Sequence, residues 1–324
     1  MLENDPIVLV DVGARGGLNM KWKPLEDVTR VIGFEPDAEE CRRLNAQAHV
    51  NESFLPVALS NTRGNITLNI TRNTDCCSTL KPEYTLINRF SDAGDFQLSG
   101  SSEIPCDTLD NIVTDRNIGN IDFLKIDTQG SERQVLQGAE KTLSQCGVFG
   151  IEIEAEFSPL YEGQSLFSDV DVLLREKGYT LFDIRTPPGR KVRKTAPAGS
   201  RQWSGQTLWT DFLYFRDYAA EANTLPDEFT TNRAIKTIAI SECLGFGDFS
   251  LELLDLYVGK GIMPEKDKTA IRDLVLTAGS NGLRPEVRLY ENIKRTAGEY
   301  LQTRLPFLHR KYVNSISKNG DGTT

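Results

Sequence analysis

The stretch "VLVDVGARGGLNMKW" at residues 8–22 decides how the chain reads. The apolar run from Ile7 to Val10 stops at an acid, Asp11, and a turn with Gly13, Gly16 and Gly17 follows at once. Such a strand delivers a carboxylate and a nearly bare backbone to one edge of a sheet, where a ligand can come close. The spacing argues against a pyrophosphate held in the dinucleotide manner. That fingerprint is G-x-G-x-x-G, and Arg15 stands where its second glycine belongs.

Outward from this turn, apolar runs alternate with helical patterns. Strands are predicted at "IVLVDV", "VIGFEP", "SFLPVAL", "IDFLKID", "VFGIEIE", "YTLFDI" and "TLWTDFLYF", with helices at "DAEECRRLNAQAH" and "SERQVLQGAEKTLSQ". The alternation predicts an α/β fold, a doubly wound parallel sheet covered on both faces. Residues 64–112 interrupt it, and the alternating "GNITLNIT" with "GDFQLSG" predicts an inserted β-hairpin and loop. After residue 217 the pattern becomes helical, in "NRAIKTIAISECL", "FSLELLDLYVGK", "EKDKTAIRDLVLTAG" and "PEVRLYENIKRTAGEYLQTRL". Two domains are expected, 1–218 and 219–324, the second a helical region ending in a disordered tail.

Composition narrows the function. The net charge of -9 over 324 residues argues against sequence-independent binding to nucleic acid, and none is expected as a partner. No apolar run approaches the roughly 20 residues of a membrane span. The opening "MLENDPIVL" lacks a basic n-region and a long apolar h-region, so the expected location is cytoplasmic. The six cysteines have no C-x-x-C spacing and are expected as reduced thiols, with no metal site. The two histidines, His49 and His309, leave few candidates for the usual general base.

The motifs "VDVGARGG", "IGFEPDAEEC", "IDFLKIDTQGSERQVLQGAEKTL" and "IEIEAEFSPLYEGQSLFSDVDVLLREKGYTLFDI", in this order, resemble those of the FkbM-type S-adenosylmethionine-dependent methyltransferases. The likeness runs over about residues 6–216 and leaves the helical tail uncovered. It implies a Rossmann-like methyltransferase sheet whose last strand is antiparallel. It also implies S-adenosyl-L-methionine as cofactor and a hydroxyl of a sugar as acceptor, in a glycan, glycolipid or nucleotide sugar of polysaccharide biosynthesis.

The residues themselves fit that cofactor, which carries an ammonium, a carboxylate, a sulfonium, a ribose diol and an adenine but no phosphate. Asp11 can meet its cationic end, directly or through water. Gly13 and Gly16 let the backbone turn against it, with Arg15 between them. Glu35 ends the second strand, where its two oxygens suit a ribose diol; otherwise it is an acid at a helix start. Ala58 and Leu59 close the third strand and border the adenine. Asp127 falls at the carboxyl end of "IDFLKI", followed by Gln129 at a position where the family shows glutamate or glutamine. Lys125 reads as a paired core charge, and Glu132 equally well as a first-turn helix acid or a site residue. Glu152 and Glu154 share one face of their strand, with Glu154 nearer the carboxyl end and Glu152 the structurally paired one. If the last strand is antiparallel, Asp211 and Trp209 reach the same edge.

Asp127, Glu154 and Asp211 are therefore the catalytic candidates, as a base or as oxygen ligands of a divalent cation, with the metal-free version preferred. The run "RTPPGRKVRKTAPAGSR" at residues 185–201 holds six basic residues and no acid. It reads either as a solvated loop or as a lid suited to a phosphorylated acceptor. The helical region offers apolar faces for a homo-oligomer or part of the acceptor site. Two rivals stay open: a catalytically silent cofactor-binding or assembly protein, and a nicotinamide-dependent oxidoreductase.

Overall fold

A computed structural model describes residues 2, 4–185, 187–196, 203–220, 225 and 229–280, the last four as backbone alone. The expected helix at residues 285–305, His309, the tail and the end of the basic run at Arg201 lie outside the described residues. The chain divides into two compact units, one of residues 1–7, 18–30 and 217–324, the other of residues 8–17 and 31–216.

In chain order the elements are β1 (Ile7–Val12), β2 (Thr29–Phe34), α1 (Ala38–Gln47), β3 (Glu52–Leu55), β4 (Ala58–Leu59), β5 (Gly64–Thr71), α2 (Tyr84–Ile87), β6 (Leu98–Asp107), α3 (Leu109–Asp115) and β7 (Phe123–Ile126). There follow α4 (Glu132–Gln137), α5 (Glu140–Gln145), β8 (Gly150–Glu156), α6 (Phe167–Glu176), β9 (Thr180–Ile184), β10 (Gly189–Lys191), β11 (Gln206–Phe215), α7 (Thr231–Cys243), α8 (Gly247–Gly259) and α9 (Glu265–Ser280). The main sheet has the order β10-β11-β8-β7-β1-β2-β3, with β9 also paired to β11. β1 is buried at all six positions, as a strand covered on both faces must be. β7 runs parallel to β1 and β8, β3 runs parallel to β2, and β11 is antiparallel to β8. The expected α/β architecture with an antiparallel last strand is therefore present.

The strand order reverses beside β1. Chain growth runs outward through β2 and β3, then returns to β7 on the other side. In an open α/β sheet this switch point opens a crevice at the carboxyl ends, here those of β1, β2 and β7. Val10, Val12, Leu124, Ile126, Ile151, Ile153 and Phe212 form part of the apolar core beneath it.

Three local readings change. "SFLPVAL" is not one strand: Pro56, which has no N–H to donate, separates β3 from β4. β4 instead joins a second sheet, β4-β6-β5, in which β5 and β6 form the expected hairpin, with Asn69 opposite Ser101. Its second strand starts at Leu98, inside "GDFQLSG", and runs on to Asp107. "SERQVLQGAEKTLSQ" breaks into α4 and α5 at Gly138, where a Cβ would lie 2.0 Å from the Ser60 carbonyl oxygen.

In the helical unit, Asp5 is held by Lys236 Nζ at 2.6 Å and Asn232 Nδ2 at 3.2 Å. Residues 20–28 form a short 3-10 helix that the sequence pattern did not announce, and the Cys243 thiol donates to the Lys21 carbonyl at 3.3 Å. No described helix is long and apolar enough to cross a membrane.

Candidate active site

The switch-point crevice is a cavity of about 770 Å³. Six of the expected site residues line it: Gly13, Arg15, Glu35, Ala58, Asp127 and Gln129. Leu59 and Lys125 line it as well, whereas Asp11, Gly16, Glu154 and Asp211 do not. Its far wall comes from the inserted segment, through Leu68, Ile70, Cys77, Ser78 and Ile104.

Gly13 ends β1 at φ +79°, and its N–H donates to the Phe34 carbonyl at 3.0 Å. A Cβ here would lie 1.8 Å from the Asp127 carbonyl oxygen. The close approach that requires glycine is thus between two strand ends of the chain itself, before any ligand is considered. Gly16 has open space around a would-be Cβ and is kept by its φ of +84°; its N–H donates to Glu40 Oε1 at 3.3 Å.

Asp11 is 3% exposed, and Lys125 Nζ lies 3.2 Å from its Oδ1. The same ammonium is 3.7 Å from Asp127 Oδ2 and 3.4 Å from the Gly13 carbonyl, which it donates to. Burial works against this charge, but Asp11 and Asp127 outweigh it and hold the lysine pKa above its ordinary value. Lys125 is the paired core charge that the sequence indicated.

Glu35 leaves β2 into the turn before α1. Its Oε1 accepts the Asp37 N–H at 2.9 Å and lies 4.0 Å from Arg15 Nη2, while Arg15 donates to Asp37 Oδ2 at 3.1 Å. Asp37 caps α1, accepting from Glu39 and Glu40. Burial raises the Glu35 pKa, opposed by the Asp37 N–H and the Arg15 charge.

The strand pairings bring the remaining acids together. Glu154 stands directly opposite Asp211, so the two share a face, as the antiparallel last strand requires. Gln129, at φ +55°, donates from Nε2 to Asp127 Oδ1 at 2.8 Å and to Glu154 Oε1 at 2.9 Å. Burial, then Asp127, Glu156 and Asp211, push the Glu154 pKa well above the usual carboxylate range. Glu132 is fully enclosed and accepts from the N–H groups of Thr128 and Gly130 and from the Thr128 hydroxyl. Those bonds shape the turn that carries Gln129.

Trp209 is turned to packing, its indole against Gly189, where a Cβ would come within 1.9 Å of the ring. The run expected as a loose basic loop or lid is, over its described part, structure. Gly189–Lys191 forms β10, Lys191 is buried in an ion pair with Asp92 and lies over the Phe96 and Trp209 rings, and Arg193 bonds Gln206 and covers Phe90. Residues that sequence reasoning missed are Ser78 and Tyr161, which both bond Gln129. A lone serine in a loop and a lone aromatic carry no spacing signal.

The lining suits S-adenosylmethionine. Phe34, Pro56, Val57, Ala58, Leu59 and Leu68 offer an apolar wall for a base, and carboxylates at Glu35 and Asp127 offer acceptors for hydroxyl and ammonium groups.

No curated protein matches the chain. Among solved structures it is similar to a TehB-like SAM-dependent methyltransferase from Corynebacterium glutamicum, with 9% identity, 64% of this chain and 79% of that one covered, and a TM-score of 0.31. It is also similar to magnesium protoporphyrin IX methyltransferase with bound SAM from Synechocystis, with 11% identity, coverage of 66% and 74%, and a TM-score of 0.32. A third is the 1,6-didemethyltoxoflavin-N1-methyltransferase of Burkholderia thailandensis, with 15% identity, coverage of 65% and 71%, and a TM-score of 0.30. Likenesses this weak say nothing of the acceptor. Residues 11–181, more than half of the chain, match the model of the methyltransferase FkbM domain, and the chain belongs to this family of S-adenosylmethionine-dependent methyltransferases.

Proposed function

We propose that this protein moves the methyl group of S-adenosylmethionine to a hydroxyl of a carbohydrate. The observation that carries the reading is a cavity at the sheet's switch point with Asp127 on its wall and Gln129 tying Asp127 to Glu154. The cofactor, when bound, supplies an activated methyl on a sulfonium. The protein's work is to align the acceptor, exclude water and take a proton.

In this reading Glu35 holds the ribose diol and Ala58 with Leu59 border the adenine. Gly13 and Arg15 lie alongside, and the Asp11–Lys125–Asp127 chain fixes the charge at the methionine end. The acceptor hydroxyl would be placed in line with that methyl, and Asp127 would take the hydroxyl proton. A positioned base of this kind contributes about 10²- to 10⁴-fold. Asp127 is preferred over Glu154 and Asp211 because it faces the cavity and they do not. Glu154 is tied to Asp127 through the Gln129 amide and serves as its neighbour. Lys191 and Arg193 already have partners, whereas Arg190 and Lys194 of the same run are exposed, so the acceptor panel includes phosphorylated and unphosphorylated sugars.

The test is methyl transfer from labelled S-adenosylmethionine to a panel of glycans, paired with calorimetry on S-adenosylhomocysteine and on NAD. Label on a sugar oxygen, lost in Asp127→Asn, supports the reading. Cofactor binding with no transfer to any hydroxyl would return the protein to a silent assembly role, and label on nitrogen or carbon would refute the O-methyl assignment.

A further inference from the structure

Gln129 occupies a backbone conformation that a side chain other than glycine rarely adopts, φ +55°, so something must hold it there. Its carboxamide has two donor hydrogens, and both are spent, on Asp127 at 2.8 Å and on Glu154 at 2.9 Å. Its oxygen faces the Tyr161 hydroxyl at 3.3 Å, and that hydroxyl also lies 3.1 Å from the Cys76 carbonyl. A phenol has one hydrogen to give, so Tyr161 shares it between the amide and the inserted segment. From the same segment the Ser78 hydroxyl donates to the Gln129 carbonyl at 2.6 Å and accepts the Leu80 N–H at 3.0 Å. The Tyr161 ring is fully buried with Ile87, Phe90, Phe96, Leu160 and Leu208 and cannot swing away.

We propose that Tyr161 is a positioning residue for methyl transfer, holding the Gln129 amide between Asp127 and Glu154 and tying that amide to the 74–79 wall of the cavity. The proposal rests on Asp127 being the proton acceptor. The arrangement is directional. With its oxygen fixed by a donor, the amide must turn its nitrogen to the acids, and N–H donation to Glu154 favours its ionised form against the burial that raises its pKa. The inserted wall thereby holds the amide in the orientation that donates to both Asp127 and Glu154. The charged groups around the pair are Lys125 on β7, Glu132 on α4, Glu156 on β8 and Asp211 on β11, with Asp11 behind Lys125.

The experiment is Tyr161→Phe, which keeps the ring and removes the hydroxyl. In the full chain saturated with S-adenosylhomocysteine, the Glu carboxyl carbons are followed by NMR across pH, with Glu154→Gln as the assignment. The titration of Glu154 is expected to move upward, by about half a pH unit or more, with affinity for S-adenosylhomocysteine within about threefold of the parent. Where an acceptor is turned over, kcat should fall about tenfold with little change in KM. Superimposable titrations in a folded variant would overturn the proposal, as would a common loss of affinity, KM and melting temperature, which marks a packing role. If Tyr161→Phe does not fold, Gln129→Ala carries the same comparison with the same expected sign. The titration needs no acceptor, so a shifted Glu154 in a protein that methylates no hydroxyl would sink the proposed function and leave the clamp standing.

Discussion

Replacing Lys125 by methionine keeps most of the side chain's length and removes its charge. Its Nζ lies 3.2 Å from the Asp11 carboxylate, whose side chain is 5% exposed, and 3.7 Å from the Asp127 carboxylate, which is 32% exposed. At an effective dielectric constant of about 20, unit charges at the shorter separation attract by about 5 kcal/mol, before the cost of desolvating them. Removing one partner of a buried pair costs about 3–5 kcal/mol, because the other charge is left in an apolar setting. Lys125 is itself partly exposed, so the low end applies, about 3 kcal/mol at pH 7.5, or about 6–12 °C in melting temperature for a unit of this size.

The pH dependence separates this account from a loss of packing. The folded pKa of Lys125 lies above its unfolded value, so its contribution is whole through the neutral range and is lost only as alkaline pH passes the folded pKa. A lost attraction counts only while the facing carboxylates are ionised, whereas a loss of packing is indifferent to pH. The difference from the parent should therefore shrink as pH falls and those carboxylates take up protons. Urea unfolding of parent and variant at pH 7.5 and 5 measures both numbers. A variant within about 0.5 kcal/mol of the parent at pH 7.5, or one whose deficit is the same at both pH values, would refute the buried-pair reasoning.

Glu35→Ala is expected to weaken S-adenosylhomocysteine binding by about tenfold or more with the fold intact, since hydrogen bonds to a charged group are worth about 1.5–3 kcal/mol each; calorimetry within about threefold of the parent would end the ribose assignment. Glu154→Gln copies the protonated side chain. A carboxyl whose folded pKa is raised costs stability increasingly as pH climbs from its unfolded value through its folded one, so the variant's melting temperature should gain on the parent's between pH 5 and 8; a constant offset speaks against the raised pKa. Changing Lys191 to serine should lower stability by about 1–3 kcal/mol by stranding Asp92, with no salt-dependent change in acceptor kinetics; unchanged stability with a KM that responds to ionic strength would restore the phosphate-binding lid.

The crevice was legible because its parts are local. An unbroken apolar run before Asp11 needs burial on both faces, and the glycine at 13 marks a close approach. The pairing of Glu154 with Asp211 followed from one topological step, the reversal of the last strand, which puts the start of β11 at the carboxyl edge. What the chain approaches at Gly13 was not legible. A missing Cβ is the same signal whether its neighbour is a cofactor or the carbonyl of Asp127, and the carbonyl lies more than a hundred residues away in sequence.

The basic run shows why the rest stayed hidden. Six positive charges without an acid look unpartnered because sequence proximity is the measure applied to them. Lys191 finds its acid at Asp92, 99 residues earlier, and its stem lies over the rings of Phe96 and Trp209. A long cationic side chain readily buries its stem against apolar surface, so local charge density measures neither exposure nor availability. The same holds at the site with the sign reversed. Asp127, Glu154 and Asp211 were visible as acids at one edge, but their working relation depends on Gln129, whose amide spans the first two, and on Tyr161, which orients it. Neither residue is charged, and neither belongs to a periodic pattern. Their significance arises when the turn after β7, the loop after β8 and the inserted segment converge on one carboxamide. Carboxylates supply chemistry that composition can count, whereas the neutral hydrogen-bonding side chains that link them are brought there by tertiary contact.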